Sequence, residues 1–97
     1  MILEAALLTV KPGLETAFEA ALVDAKPLIA ASPGFRSLTV RPCLEQPGHY
    51  LLLVEWDRLE DHTEGFRKSD RYAKWRAALH HFYEPFPTVE HFAPSIV

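Results

Sequence analysis

Tyr50-Leu51-Leu52-Leu53-Val54-Glu55-Trp56 is the stretch that decides the fold. A strand whose sheet has one wet face alternates apolar and polar residues. This one does not. Leu51 and Leu53 point one way, Leu52 and Val54 the other, because successive side chains leave a strand on opposite faces. Pro47-Gly48 precedes it and marks a turn. Before that turn, Phe35 to Leu44 reads as a strand, so the two make a hairpin with His49 to Trp56 as its second arm.

Ile2 to Val10 offers a further strand, closed by Lys11-Pro12-Gly13. It too is apolar on both sides: Ile2, Ala6 and Leu8 share one face, Leu3, Ala5 and Leu7 the other. Leu14 to about Ala31 is a helix, with Leu14, Ala17, Phe18, Ala21, Leu22, Ala25, Leu28 and Ile29 on a single stripe. Pro27 lies inside that stripe and is expected to kink the helix or end it near Lys26. Asp57-Arg58-Leu59-Glu60 is a capping pattern for the next helix, Gly65 weakens that helix, and Ser69 caps a second segment. Tyr72, Trp75, Leu79 and Phe82 step along one face until Pro85 and Pro87 stop the helix. Thr88 to Phe92 is a short last strand.

The order is strand, helix, strand, strand, helix, strand. It predicts an α+β, ferredoxin-like βαββαβ fold, with a four-stranded antiparallel sheet and both helices on one face. Two helices cover one face only. A second copy, sheet against sheet, is the simplest cover for the other. At about 25 cal/mol per Å2, leaving several such side chains in water costs several kcal/mol, which rivals the whole stability of a small domain. The expected assembly is therefore a homodimer through the sheet face.

Composition narrows the function. Ninety-seven residues suit one domain, expected to span 1–97. The net charge of −3 comes from 10 Lys and Arg against 13 Asp and Glu with no basic block, which argues against nucleic acid as a partner. The middle of the third strand is aliphatic, where RNA-recognition domains of this plan need stacking aromatics. One cysteine, Cys43, excludes an intrachain disulfide, a thiolate zinc site and a Cys-x-x-Cys copper loop. Cys43 follows Pro42 at a strand end with nothing beside it to activate a thiol, so it is read as inert. No apolar run is long enough to cross a membrane, and the N-terminus carries Glu4 and no basic segment, so cytoplasm is the expected location. A glycine-rich phosphate loop is missing, which disfavours nucleotides.

Four pieces of sequence carry a resemblance: Lys11-Pro12-Gly13 before the first helix; Ser32-Pro33-Gly34-Phe35 leading into the second strand; Val54-Glu55-Trp56-Asp57 running to Ser69-Asp70-Arg71-Tyr72; and Pro87-Thr88-Val89-Glu90-His91-Phe92. In order and spacing, over nearly the whole chain, they resemble the antibiotic biosynthesis monooxygenase (ABM) family, whose members form dimeric α+β barrels. The resemblance implies a homodimer with a pocket between helices and sheet in each subunit. It also implies oxygenation of a small hydrophobic aromatic or quinol-type substrate by O2, with no flavin or metal as cofactor. The family's haem-degrading branch uses an Asn on the first strand, a Trp and a His. This sequence has no asparagine, and Phe66 and Arg76 fall where the Trp and His would align on the Ser69-Asp70 step. Haem degradation is disfavoured. The polyketide-quinone branch also uses an Asn, so its mechanism does not carry over.

Such chemistry needs a base that is neutral near pH 7, and His is the side chain that titrates there. His62 and His91 are the two candidates. His62 shares a helix face with Phe66 one turn on; His91 lies on the last strand opposite in facing to Glu90 and Phe92. Against this, a lone His commonly just caps a helix or bonds a carbonyl. His80 and His81 sit near a helix C-terminus and read as structural or surface residues. His62, His80 and His91 have no recognisable metal-ligand spacing. Phe66, Tyr72 and Trp75 are candidates to stack a flat substrate, although such a stripe is also what a plain core would show. Arg36 is a candidate to pair with an anionic substrate. Two other readings use the same pocket: a non-catalytic dimeric binding or stress-associated module, and a non-redox isomerase with His as proton shuttle.

Overall fold

The computed structural model covers residues 1–97. Its elements are β1 (Ile2–Thr9), α1 (Glu15–Ala30), β2 (Phe35–Pro42), β3 (His49–Trp56), a π-helical turn (Asp61–Phe66), α2 (Asp70–Leu79), a 3-10 turn (His80–Phe82) and β4 (Val89–Phe92). The four strands form one antiparallel sheet in the order β2-β3-β1-β4. The ferredoxin-like plan expected from the sequence is the one observed, with α1 and α2 packed against each other.

The period-2 rule sorts the sheet's two faces. Tyr50, Leu52, Val54 and Trp56 of β3 are all buried towards the helices, as are Ala6 and Leu8 of β1. Phe18, Ala25 and Ile29 of α1 and Trp75 and Leu79 of α2 pack onto them. Phe18 anchors this core with edge-on contacts to Tyr50, Phe82 and Tyr83 at 5.0, 5.7 and 5.8 Å. The opposite face is uncovered by this chain. Leu7 is 73 % exposed there and Phe92 49 %, with Leu51 beside them.

Three local expectations are corrected. α1 does not end near Lys26 but continues past Pro27 to Ala30. Pro27 lies on the exposed side of the helix, and one turn back Val23 is exposed as well, so water can take the Val23 carbonyl that loses its N–H partner. Secondly, Asp57 does not cap a helix: its carboxylate pairs with Arg36 and its N–H donates to the Gly34 carbonyl at 2.8 Å. Asp61 instead accepts from the Arg58 N–H at 3.1 Å. Lastly, α2 ends at Leu79, ahead of the prolines, and the chain tightens into the 3-10 turn. Ser69 does cap α2, its hydroxyl accepting from the Tyr72 N–H at 3.2 Å.

Candidate functional site

The site begins with β1. Glu4 has the parity of Ile2, Ala6 and Leu8, so the strand drives a carboxylate into the helix-covered side, where it is 7 % exposed. On neighbouring β3, Trp56 donates its indole N–H to Glu4 Oε1 at 2.9 Å. On the other neighbour, β4, His91 stands opposite Glu4 in the register.

His62 arrives from above, on the π-helical turn. The wider winding closes with the Arg67 N–H donating to the His62 carbonyl at 3.0 Å, five residues apart, and single turns of this kind are frequent at functional sites. His62 is 3 % exposed and lies flat on Trp56, centroids 5.4 Å apart and planes 19° apart. Its Nδ1 meets His91 Nε2 at 2.8 Å, and its Nε2 lies 3.4 Å from Glu4 Oε1. Trp56, Glu4, His62 and His91 thus form one continuous polar string in an otherwise apolar interior.

Beside this string lies a cavity of about 100 Å3 between sheet and helices. Glu4, His62 and Arg67 supply its polar wall; Phe66, Tyr72, Trp75 and Tyr83 supply its aromatic one. Phe66 meets Tyr72 and Trp75 edge-on at 5.4 and 5.9 Å. Phe86 and Pro87, from the segment leading to β4, reach the same space. The volume is below that of sites for drug-sized ligands.

Burial sets the electrostatics. It pulls His62 down to about 3, with the Arg67 guanidinium and His91 adding to the effect, so the ring is neutral at pH 7. Burial and then Arg67 lower His91 as well. Glu4 moves the other way: burial raises it, and the Trp56 hydrogen bond and Arg67 offset part of the rise. Burial, followed by Arg76, lowers His80.

Of the residues singled out from the sequence, His62, Phe66, Tyr72 and Trp75 come together on the cavity wall. His91 stands behind His62, touching it but not lining the cavity. Arg36 is elsewhere: it is exposed, pairs with Asp57 and does not reach the cavity. The cavity's cation is Arg67. His80, read as a surface or structural residue, is half-buried and lines the cavity too. Glu4 is the residue missed, although its parity with Ile2, Ala6 and Leu8 was a visible signal. No group of three or more His, Cys, Asp or Glu is arranged to hold a metal ion.

The fold and cavity define a ferredoxin-like α+β protein with a small, largely apolar cavity beside a carboxylate and a neutral imidazole. Residues 1–78 match the family model described as antibiotic biosynthesis monooxygenase, and the chain belongs to that family. It is 54 % identical over 92 residues to YczJ of Bacillus subtilis (strain 168), itself uncharacterized, covering 95 % of this chain and 97 % of that one. A Bordetella bronchiseptica crystal structure bearing the family's name superposes with a TM-score of 0.92 at 30 % identity, covering 98 % and 97 % of the two chains. One from Nitrosomonas europaea gives 0.82 at 15 % identity, covering 97 % and 98 %, a likeness of fold alone. No helix is long and apolar enough to cross a membrane.

Proposed function

We propose that this protein is a cofactor-independent monooxygenase acting on a small hydrophobic phenol or quinol, and that it works as a homodimer joined through the open sheet face. The observation that carries the reading is His62: a buried imidazole, held neutral, on the wall of an aromatic-lined cavity. The family supports the reaction class. Leu7, Leu51 and Phe92, exposed on the far side of the sheet, support the assembly.

The chemistry balances without an added reductant. A phenol such as 1-naphthol loses its hydroxyl proton, which turns the ring into an electron-rich anion that O2 can oxidise. One oxygen atom becomes a carbonyl at the para carbon and the other leaves as water. The substrate gives up four electrons and two hydrogens, and a quinone results. His62 and His91 handle the proton, Arg67 steadies the anion, and Phe66, Tyr72 and Trp75 flank the ring.

The test is O2 uptake with 1-naphthol. Uptake should match quinone formed, one for one, and 18O2 should label a single quinone oxygen. His62→Ala should slow turnover by about 10²- to 10⁴-fold, the usual worth of a proton-transfer group. Uptake no faster than in buffer for 1-naphthol and a panel of related phenols, or a rate untouched by His62→Ala and His91→Ala together, would refute the reading.

A further inference from the structure

Both ring nitrogens of His62 face protein groups. Nδ1 faces His91 at 2.8 Å and Nε2 faces Glu4 Oε1 at 3.4 Å. A molecule in the cavity cannot deliver a proton to either nitrogen without pushing a neighbour aside. Glu4 is placed differently. Its Oε1 takes the Trp56 N–H. Its Oε2 takes part in no hydrogen bond, and no fully buried side-chain oxygen is left unpartnered, so Oε2 keeps accessible surface on a residue that lines the cavity. A buried carboxylate with one oxygen held and one presented is the geometry of a general base.

We propose that Glu4 is the catalytic base that takes the substrate's proton, and that His62 and His91 are the path by which this proton leaves for the open edge of the sheet. The assignment rests on the phenol reading of the same cavity for its substrate class. Oε2 accepts the hydroxyl proton, and the phenolate stays beside the Arg67 guanidinium. Once the carboxyl group is neutral, both rings exchange to the tautomer with hydrogen on Nδ1, which frees His62 Nε2, and the carboxyl group turns to present its new O–H there. The gap of 3.4 Å is longer than a working hydrogen bond and closes with a shift of about half an ångström, as catalytic contacts do when a site fills. His62 then passes the proton on its Nδ1 to His91 Nε2, and His91, half-buried on edge strand β4, releases one to water. Bonds made and broken are all to hydrogen, and one proton leaves for each that enters.

The string has two hydrogen-bonding directions, set by Glu4. With Glu4 protonated, its O–H donates to His62 Nε2, and His62 donates from Nδ1 to His91. With Glu4 ionised, His62 carries its proton on Nε2 and points it at the carboxylate, so His91 must donate from Nε2 to His62 Nδ1. The two rings therefore change tautomer together. The charged and titratable groups around Glu4 are Arg67, His62 and His91, with Tyr72, His80 and Tyr83 on the other walls of the same cavity.

Two measurements test this, both without oxygen. Imidazole 15N spectra of the ligand-free protein across pH 4 to 8 should show His62 and His91 switching tautomer at one shared midpoint; Glu4→Gln, which keeps an oxygen for Trp56, should abolish the switch. Under argon, after a pH jump, 4-nitrophenol bound to the wild type should ionise at least about tenfold faster than on Glu4→Gln, because a base speeds the transfer of the proton without lowering the phenol's own pKa. Equal ionisation rates on both proteins, no binding of the phenol, or rings that titrate independently of Glu4 would overturn the assignment. Failure of 1-naphthol oxygenation while the tautomer switch and the rate difference persist would remove the oxygenase reading and leave Glu4 as the base.

Discussion

Mild acid should destabilise this protein through one imidazole. His62 is 3 % exposed, lies on Trp56 and sits near Arg67, so its folded pKa is about 3 against an ordinary 6.5. The folded chain refuses a proton that the unfolded chain accepts. The stability this contributes is complete above pH 6.5 and is lost as pH falls towards 3. Between pH 7.5 and 5.0 the unfolded imidazole gains most of a proton while the folded one stays neutral. That gap of about 1.5 pH units, at about 1.36 kcal/mol each, is worth about 2 kcal/mol. A folded value one unit higher would leave this figure unchanged, since it would still lie well below 5.0. Glu4 acts with the opposite sign: its raised pKa means that stability is lost as pH rises through its folded value. The comparison that isolates His62 is therefore with His62→Phe, which keeps the ring on Trp56 and keeps Glu4. Urea unfolding at both pH values, at one fixed protein concentration, should show the wild type losing about 2 kcal/mol more than the variant. Equal losses in the two proteins would refute the claim that His62 is buried neutral.

Other outcomes follow from separate parts of the structure. Leu7 faces Leu51 across the β1–β3 register on the open side of the sheet, so Leu7→Glu should turn a particle of twice 11.0 kDa into a monomer by sedimentation. A wild type already at 11.0 kDa would refute the homodimer. Phe18→Ala should cost about 3–5 kcal/mol in urea, because the fully buried ring touches three other aromatics; it should not alter 4-nitrophenol ionisation, because it does not line the cavity. Ser69→Ala should cost about 1 kcal/mol, the usual worth of an N-cap, again read by urea unfolding.

Much of the architecture was legible because it depends on periodicity. Leu52 and Val54 against Leu51 and Leu53 announce a strand apolar on both faces, and the same parity puts His91 on the side opposite Phe92. Ser69 is legible because a cap is a local bond. Asp57 misled for the reverse reason: its capping pattern is local, but Arg36, distant in sequence, claims the carboxylate. Pro27 misled because the cost of a proline depends on whether water can reach the freed carbonyl. The cavity was half legible. Phe66, Tyr72 and Trp75 share a face by helical spacing, but Arg67 and His80 enter it only because a π-helical turn and a 3-10 turn rotate them there. Glu4 obeys the strand rule, yet its meeting with Trp56 and His62 depends on contacts distant in sequence.

β1 carries the cavity wall and the bare face of the sheet on alternate residues. Glu4, Ala6 and Leu8 wall the cavity, while Ala5 and Leu7 look out from the bare side. Loss or gain of one residue within this strand would swing the carboxylate into solvent and an isobutyl group into its place, so that the proposed reactivity and the proposed self-association would fail in a single event. Point substitutions can tune the two traits apart; a frame change in the pleat cannot spare either.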